Sequence, residues 1–496
     1  MPKLKLSPAG LQLEVAAGTR LQDVLFAQGV EFPCGGRGRC RGCRVKVLRG
    51  HLPVSAEEET RLTRAELDAG WRLACRHTLA GDLELELAQW EISVLADQTS
   101  FAFTPGSGLG VAIDLGTTTL AAQLVDLASG NVLGVQTALN PQARHGSDLM
   151  SRVEYATRGG QAELTQLIRT QLGEMILQLL GDRQATQQLN RVVIVGNTVM
   201  HHLFCGLSVA PLAEHPFETD QSGRLSFSPR ALGWNLPDTV TVEFMPGLGS
   251  FVGSDILAGI IATGLHERDE LTALMDLGTN GEVVVGHRGK MLCTSTAAGP
   301  AFEGARISRG MRAATGAISE VRVENGALVC QVIGGGAARG LCGSGLVDAV
   351  AAGLELGWIQ PNGRMTVGPQ MPLTEAVSLK PGDVRELQLA KGAVAAGLRL
   401  LTQQFGMELG GLRRLHLAGA FGNYISRTSA QKIGLLKLPV EKITPAGNTA
   451  LLGAKMALFQ DAAQWDAVAR RVSHLALNED EAFQEVYAEE MRLSPA

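Results

Sequence analysis

The chain has 496 residues, 45% hydrophobic and 19% charged, with a formal net charge of −5. That is the composition of a folded chain with length for two to four domains, and the absence of any Lys/Arg-rich run argues against a nucleic-acid partner. No segment approaches 18 uninterrupted apolar residues, and "MPKLKLSPAGLQLEV" at the N-terminus lacks a signal-peptide core, so no membrane partner is expected and the expected location is the cytoplasm.

Residues 1–95 read as a small mixed α+β unit. "LQLEVAAG" (11–18) alternates like a strand, and "RLQDVLFAQG" (20–29) sets Leu21, Val24 and Leu25 at helical spacing before a glycine. "CRVKVLRG" (43–50) and the strictly alternating "GDLELELA" (81–88) are further strands, and "TRAE" (63–66) is a capping box opening a short helix. Between the first helix and the following strand lies "FPCGGRGRCRGCRVKV" (32–47). Together with Cys75 its cysteines give the spacing Cys34-x5-Cys40-x2-Cys43-x31-Cys75. A disulfide staple, a zinc site and a redox cluster are the chemistries such a set serves. Disulfide frameworks belong to short secreted chains. Zinc ribbons usually carry two C-x2-C knuckles, and only one is present. Plant-type ferredoxins use C-x4-C-x2-C with a distant fourth cysteine, one residue shorter in the first gap. The remaining cysteines, Cys205, Cys293, Cys330 and Cys342, stand in apolar surroundings and read as small buried hydrophobes.

Residues 96–107 ("ADQTSFAFTPGS") read as a connector, and beyond them the pattern turns to long amphipathic helices and apolar strands. "AELTQLIRTQLGEMILQLL" (162–180) places Leu164, Ile168, Leu172, Met175 and Leu179 on one helical face. "RVVIVGNTVMHHLF" (191–204) is a buried strand, a turn and a new helix, in which adjacent His201 and His202 point to different sides and suit packing rather than a metal. An internal repeat organises this part of the chain. "VAIDLGTTTLAAQLVDLASGNVLGVQT" (111–137) and "ALMDLGTNGEVVVGHRGKMLCTST" (273–296) share one plan: a strand ending in Asp-Leu-Gly-Thr, a tight hairpin, and two more strands. A duplicated domain with a cleft between its halves, 108–268 and 269–496, follows.

The paired turns point to polyphosphate chemistry. Gly116 and Gly278 let phosphate oxygens approach the backbone N–H groups, and Thr117, Thr118 and Thr279 add hydroxyl donors. Asp114 and Asp276, at the strand ends, are placed to hold Mg²⁺ through its waters or to orient an attacking water. Gly343-Ser344-Gly345 opens an Ala-rich helix as an anion site, and Gly419-Ala420, in "RRLHLAGAFGNYI" (413–425), suits contact with adenine or ribose.

The paired "DLGTT" and "DLGTN" turns with the late "AGAFG" resemble the acetate/sugar kinase, heat-shock chaperone and actin (ASKHA) group of ATPases. "NPQARHGSDLMSRV" (140–153), "IVGNTVMHHLF" (194–204), "FVGSDILAGI" (251–260) and "AAGPAFEGARIS" (297–308) resemble one family within it, the reductive activators of corrinoid-dependent enzymes. The resemblance implies a β-grasp [2Fe–2S] ferredoxin domain ahead of a duplicated α/β ASKHA ATPase domain. It implies cluster ligands Cys34, Cys40, Cys43 and Cys75, with ATP and Mg²⁺ as further cofactors. It implies an ATP-hydrolysing activase that returns a Co(II) corrinoid to Co(I), with a corrinoid protein or methyltransferase as client, an upstream low-potential electron donor, and a homodimer among its open assemblies. Two other readings use the same fold: an electron donor to a 2-hydroxyacyl-CoA dehydratase, and a non-catalytic nucleotide-sensing ferredoxin scaffold. This chain departs from many ferredoxins of the branch in charge. Residues 1–96 hold 13 Lys/Arg against 12 Asp/Glu, and Arg37, Arg39, Arg41 and Arg44 crowd the cysteine loop where an acidic docking face is usual.

Overall fold

The structure is a computed structural model and describes residues 1–7, 11–26, 28, 30, 38, 43–87, 101–146, 148–181, 183–278, 280–296, 299–304 and 306–494. Cys34, Cys40, Thr279, residues 96–100 of the connector and the side chain of Ala420 lie outside the described residues.

The first unit is a five-stranded sheet in the order β2-β1-β5-β3-β4, made of β1 (Lys3–Ser7), β2 (Leu11–Glu14), β3 (Arg44–Arg49), β4 (Trp71–Leu73) and β5 (Leu83–Leu87). β1 pairs antiparallel with β2 and parallel with β5, as in a β-grasp. β1 is absent from the elements expected above. It turns Leu4 and Leu6 inward between outward Lys3 and Lys5, and β2 is shorter than expected because it is an edge strand with little buried surface. The helix Leu21–Phe26 lays Leu21 and Leu25 on this sheet. Two short helices follow β3, each opened by a full capping box: Ala56–Arg61, capped by Ser55 with Glu58, and Arg64–Asp68, capped by Thr63 with Glu66.

From Leu109 the chain folds twice into one strand order. The first half holds β6 (Leu109–Leu115), β7 (Thr119–Asp126), β8 (Val132–Leu139), β9 (Leu189–Gly196), β10 (Leu225–Phe227) and β11 (Thr241–Phe244), in the order β10-β11-β9-β6-β7-β8. The second holds β12 (Thr272–Leu277), β13 (Gly281–His287) and β14 (Lys290–Thr296). A small side sheet of β15 (Ala317–Glu324), β16 (Ala327–Val332) and β17 (Gly340–Leu341) and the pair β18 (Met371–Pro372) and β19 (Ser378–Leu379) come next. β20 (Arg414–Ala418), β21 (Ile443–Gly447) and β22 (Val472–His474) complete it, giving the order β21-β20-β12-β13-β14-β22. In each half an antiparallel meander (β6-β7-β8, β12-β13-β14) is extended by two parallel strands beyond its first strand (β9 and β11, β20 and β21). The inner parallel strands are covered on both faces: Val192–Val195 on β9, for example, are fully buried. Burial is worth about 1.5–3 kcal/mol for each such side chain, which is why these strands read as continuous apolar runs. The helices Ser254–Ala262 and Thr449–Ala457, which follow β11 and β21, pack on each other and join the halves. Among the described residues no helix is long and apolar enough to cross a membrane.

Candidate functional site

The floor of the cleft is built by the duplication. Asp114 and Asp276 occupy equivalent strand ends, and the two packed helices contribute Asp255 and Asn448 at their N-termini. The Asn448 amide donates to Asp114 Oδ2 at 3.1 Å. The symmetry is broken across the hairpins: Asp276 pairs with Glu282, whereas Asp114 pairs with Ala121. Burial pushes the Asp114 carboxyl up to about 6, against the pull of Asn448. Burial and the neighbouring Asp114 push Asp276 to about 7. Asp255 rises to about 8 through burial and both aspartates, and Glu282 rises well above its ordinary value through burial, Asp255 and Asp276. Asp255 and Glu282 are members the sequence analysis missed. Asp255 was legible in principle, standing next to a helix start in "FVGSD", but nothing in the one-dimensional spacing sets it beside Asp114. A pocket of carboxyls that raise one another's pKa is a site awaiting positive charge.

This cluster contributes to the pH dependence of stability without nucleotide or metal. An acid whose folded pKa is raised binds extra protons in the folded state between about 4 and its folded value, so its stabilising share is complete below that window and is lost as pH rises through it. Lys391, fully buried and pushed down to about 7 by burial, has the opposite sign above pH 7. The informative comparison is therefore Asp255→Asn against wild type, in which the lysine cancels. The melting temperature of the variant should gain on wild type as pH rises from about 6 to 8.5, and a pH-independent difference would show that the carboxyls do not crowd one another.

The first phosphate turn is held from behind by residues of the 140–153 and 194–204 segments. Asn140 donates from its side chain to Gly116 O (2.9 Å) and from its backbone to Thr118 O (2.9 Å). Asn197, which caps the helix Thr198–Cys205, donates to Thr117 Oγ1 at 2.9 Å. Arg152, fully buried, donates to Thr117 O, to Gly146 O and to Gln142 Oε1. His202 Nδ1 lies 2.8 Å from Ser208 O, and His201 packs its ring edge-on to Phe244. The second turn is one residue tighter, since Leu277 pairs with Gly281 where Leu115 pairs with Leu120. Gly419 closes on it with φ +83°, and a Cβ there would lie 2.5 Å from Asp276 Oδ1, so this position takes glycine for both reasons.

A cavity of about 970 Å³ opens beside these turns. Thr118 and Thr119 of the first half line it together with Gly343, Ser344, Phe421 and Arg312 of the second. Phe302 and Phe421 form a stacked pair in its wall, with ring centroids 4.6 Å apart. The helix Gly343–Glu355 differs from expectation in what its glycines do. A Cβ on Gly343 would meet Phe302 O at 1.8 Å and one on Gly345 would meet Ile318 O at 2.2 Å, so close packing requires both. The Ser344 hydroxyl is spent on Ser319 O (2.9 Å), and of the three only Gly343 and Ser344 face the cavity.

In the first unit, Cys43 and Cys75 are both buried and are drawn together by the Ala74 N–H, which donates to Cys43 O at 3.0 Å. The two thiols and their near-dry setting suit a thiolate-ligated cluster. Arg44 reaches Glu66 (3.4 Å) and stacks near Trp71, so one of the four loop arginines is an internal partner. This unit touches both halves of the duplicated domain. Leu139 and Ala143 of the first half complete its apolar core, while Arg309 and Arg339 of the second pair with its Glu66 (3.5 Å) and Glu86 (2.7 Å).

Three family models match the chain in succession: the 2Fe-2S iron-sulfur cluster binding domain over residues 4–80, the RACo middle region over 109–268, and the C-terminal domain of RACo, the ASKHA domain, over 270–496. The corrinoid activation enzyme RamQ of Eubacterium limosum is 35% identical over 418 residues, covering 76% of this chain and 69% of its own. The chain belongs to the family of reductive activators of corrinoid proteins. The [Co(II) methylated amine-specific corrinoid protein] reductase of Methanosarcina barkeri is similar at 26% identity over 76% of each chain. Among solved structures, the reductive activator for corrinoid,iron-sulfur protein matches 99% of this chain and 98% of its own at 26% identity, with a TM-score of 0.69. On this chain the β-grasp unit is the matched 2Fe-2S domain, and the duplicated α/β halves are the matched RACo middle region and ASKHA domain.

Proposed function

We propose that this protein uses ATP to return the inactive Co(II) corrinoid of a client methyltransferase or corrinoid protein to Co(I), one electron at a time. The observation that carries this reading is the seat of the ferredoxin unit: it rests on the first half through Leu139 and Ala143 and on the second through Arg309 and Arg339, across the cleft that nucleotide would fill. In this proposal Cys34, Cys40, Cys43 and Cys75 hold a [2Fe–2S] cluster which, when bound, supplies single electrons at a potential near −400 mV, low but short of what Co(II) generally requires.

The residues of the cleft supply the rest. Asp114 and Asp276 hold Mg²⁺ through its waters. The N–H groups of the turns at Gly116–Thr118 and Gly278–Thr279 receive the phosphates, and the Phe302–Phe421 wall receives the base beside Gly419-Ala420. ATP bound to both turns favours the closed arrangement by its differential affinity, because a ligand with equal affinity for two states shifts neither. Closure moves Leu139 and Ala143 relative to Arg309 and Arg339, and so alters the seat of the ferredoxin and the face offered to the client. The test is anaerobic: purified protein, a chemical reductant and a panel of Co(II) corrinoid proteins, with and without ATP, followed by Co(I) absorbance. Co(I) should form with at least one client and only with ATP. No Co(I) with any client, or equal Co(I) without nucleotide, overturns the assignment.

A further inference from the structure

Cys75 stands apart from the other three cysteines in sequence and sits on a single 3-10 turn, Ala74–Arg76, that has no side-chain cap of its own. Such a turn has poor hydrogen-bond geometry and holds its shape only through outside contacts. Most of those contacts come from one short helix. Glu58 of the helix Ala56–Arg61 is fully buried, and its Oε1 accepts from Leu73 N at 2.5 Å and stands 2.8 Å from His77 Nε2. Leu73 and His77 are the two residues that bracket the turn. Its Oε2 accepts from Ser55 N at 2.8 Å, closing the capping box. The adjacent Glu57 pairs with Arg76 at 2.6 Å, and Leu21 N donates to His77 O at 3.0 Å. Burial alone would raise the Glu58 carboxyl, yet the bonds from His77, Ser55 and Leu73 hold it below its ordinary value.

We propose that Glu58 is the positioning residue of the iron–sulfur site: its buried carboxylate clamps both ends of the Ala74–Arg76 turn and so fixes where Cys75 presents its sulfur. A helix cap needs only one oxygen facing the N-terminus of its own helix. Here the second oxygen is spent on residues 15 and 19 positions further along the chain, on either side of a cluster ligand. Two features separate this role from stabilisation. The clamp sets the direction of Cys75 relative to Cys43, whose carbonyl the same turn grips through Ala74 N. It also holds a carboxylate against both residues that bracket the turn of Cys75, and a negative charge there disfavours adding an electron to a group that Cys75 ligates.

This inference rests on the cluster reading, and the experiment separates the two. The full-length protein is compared with Glu58→Gln and with Thr63→Ala. Thr63→Ala weakens the neighbouring capping box without touching Leu73 or His77. Iron content and visible absorption report whether a cluster is held, a redox titration followed by electron paramagnetic resonance gives its potential and g values, and a chelator challenge gives its rate of loss. Glu58→Gln should raise the reduction potential, change the g values and speed cluster loss about tenfold, a barrier change of about 1.4 kcal/mol, while Thr63→Ala lowers stability and changes none of these. If Glu58→Gln loses stability as Thr63→Ala does but keeps the wild-type potential and spectrum, Glu58 is a helix cap and the proposal fails. Should Glu58→Gln not accumulate as folded protein, His77→Asn, which removes one tie and leaves the carboxylate, is read by g values and rate of cluster loss alone: both should change, and wild-type values for both overturn the proposal. A wild-type protein that holds no [2Fe–2S] cluster overturns the cluster reading and the proposal with it.

Discussion

Asp276→Asn should abolish ATP hydrolysis and ATP-dependent activation, by about 100-fold or more, and leave the visible spectrum of the ferredoxin unit unchanged. The register fixes the reason. Asp276 is held between Glu282 on β13 and Ala418 on β20, and any side chain at Gly419 would crowd its carboxylate. An asparagine preserves this shape while removing the charge that the cation's waters require. It also relieves Asp255 and Glu282, both pushed upward in part by Asp276, so the variant should be at least as stable as wild type when no nucleotide is present. The apolar core of the ferredoxin unit draws on none of these cleft residues, which is why the spectrum is a fair control for folding. A variant that still turns over ATP at the wild-type rate would remove Asp276 from the machinery. One that hydrolyses normally but no longer activates would place it in coupling instead.

Much of the fold was legible because duplication repeats its signal. Two Asp-Leu-Gly-Thr turns, each behind an apolar strand and before a second strand, predict two sheets of one order, and β6-β7-β8 and β12-β13-β14 have it. The helix over 162–180 was equally plain: Leu164, Ile168, Leu172 and Met175 form the buried stripe of Gln161–Leu180. β1 escaped because five residues with two lysines make a weak pattern, and what stabilises it is a parallel partner 79 positions away, Leu83 opposite Leu4. The site was legible where chemistry sits on consecutive residues and illegible where it is assembled. Asp114 and Asp276 announce themselves at strand ends, whereas Asn448 and Asp255 reach the same spot from helices on opposite halves. Glu58 is the instructive case. "SAEE" (55–58) carries the same Ser/Thr-x-x-Glu pattern as "TRAE" (63–66) eight residues later, so the cap could be read from the sequence. That its other oxygen clamps the turn of Cys75 could not, since this depends on how β4 folds back beside the helix.

The arginines of this chain matter most at the seat between its domains. In the double variant Arg309→Glu/Arg339→Glu, ATP-driven formation of Co(I) should fall about tenfold or more while ATP hydrolysis is retained. Glu66 and Glu86 of the ferredoxin unit would then each face a like charge, and such juxtapositions cost several kcal/mol, where about 1.4 kcal/mol already changes a docked population tenfold. The two sites differ in depth. Glu86 with Arg339 is a half-exposed pair that salt should weaken. Glu66 is buried, accepts from Thr63 and Arg44 as well, and has no solvent to fall back on when Arg309 is reversed. Arg309 stands three residues from Arg312, which lines the cavity beside the turns, so under the proposed function the segment beside the nucleotide is the one that grips the ferredoxin. On the other half, Leu139 and Ala143 flank Asn140, which braces the first phosphate turn. Reversing the arginines cuts one of these two connections and leaves the two Asp-Leu-Gly-Thr turns in place. Small-angle scattering should show the ferredoxin unit moving away from the ATPase, and the ratio of Co(I) formed to ATP hydrolysed should drop with it. A ratio unchanged from wild type, with the domain visibly released, would mean that coupling runs through the client rather than through this seat.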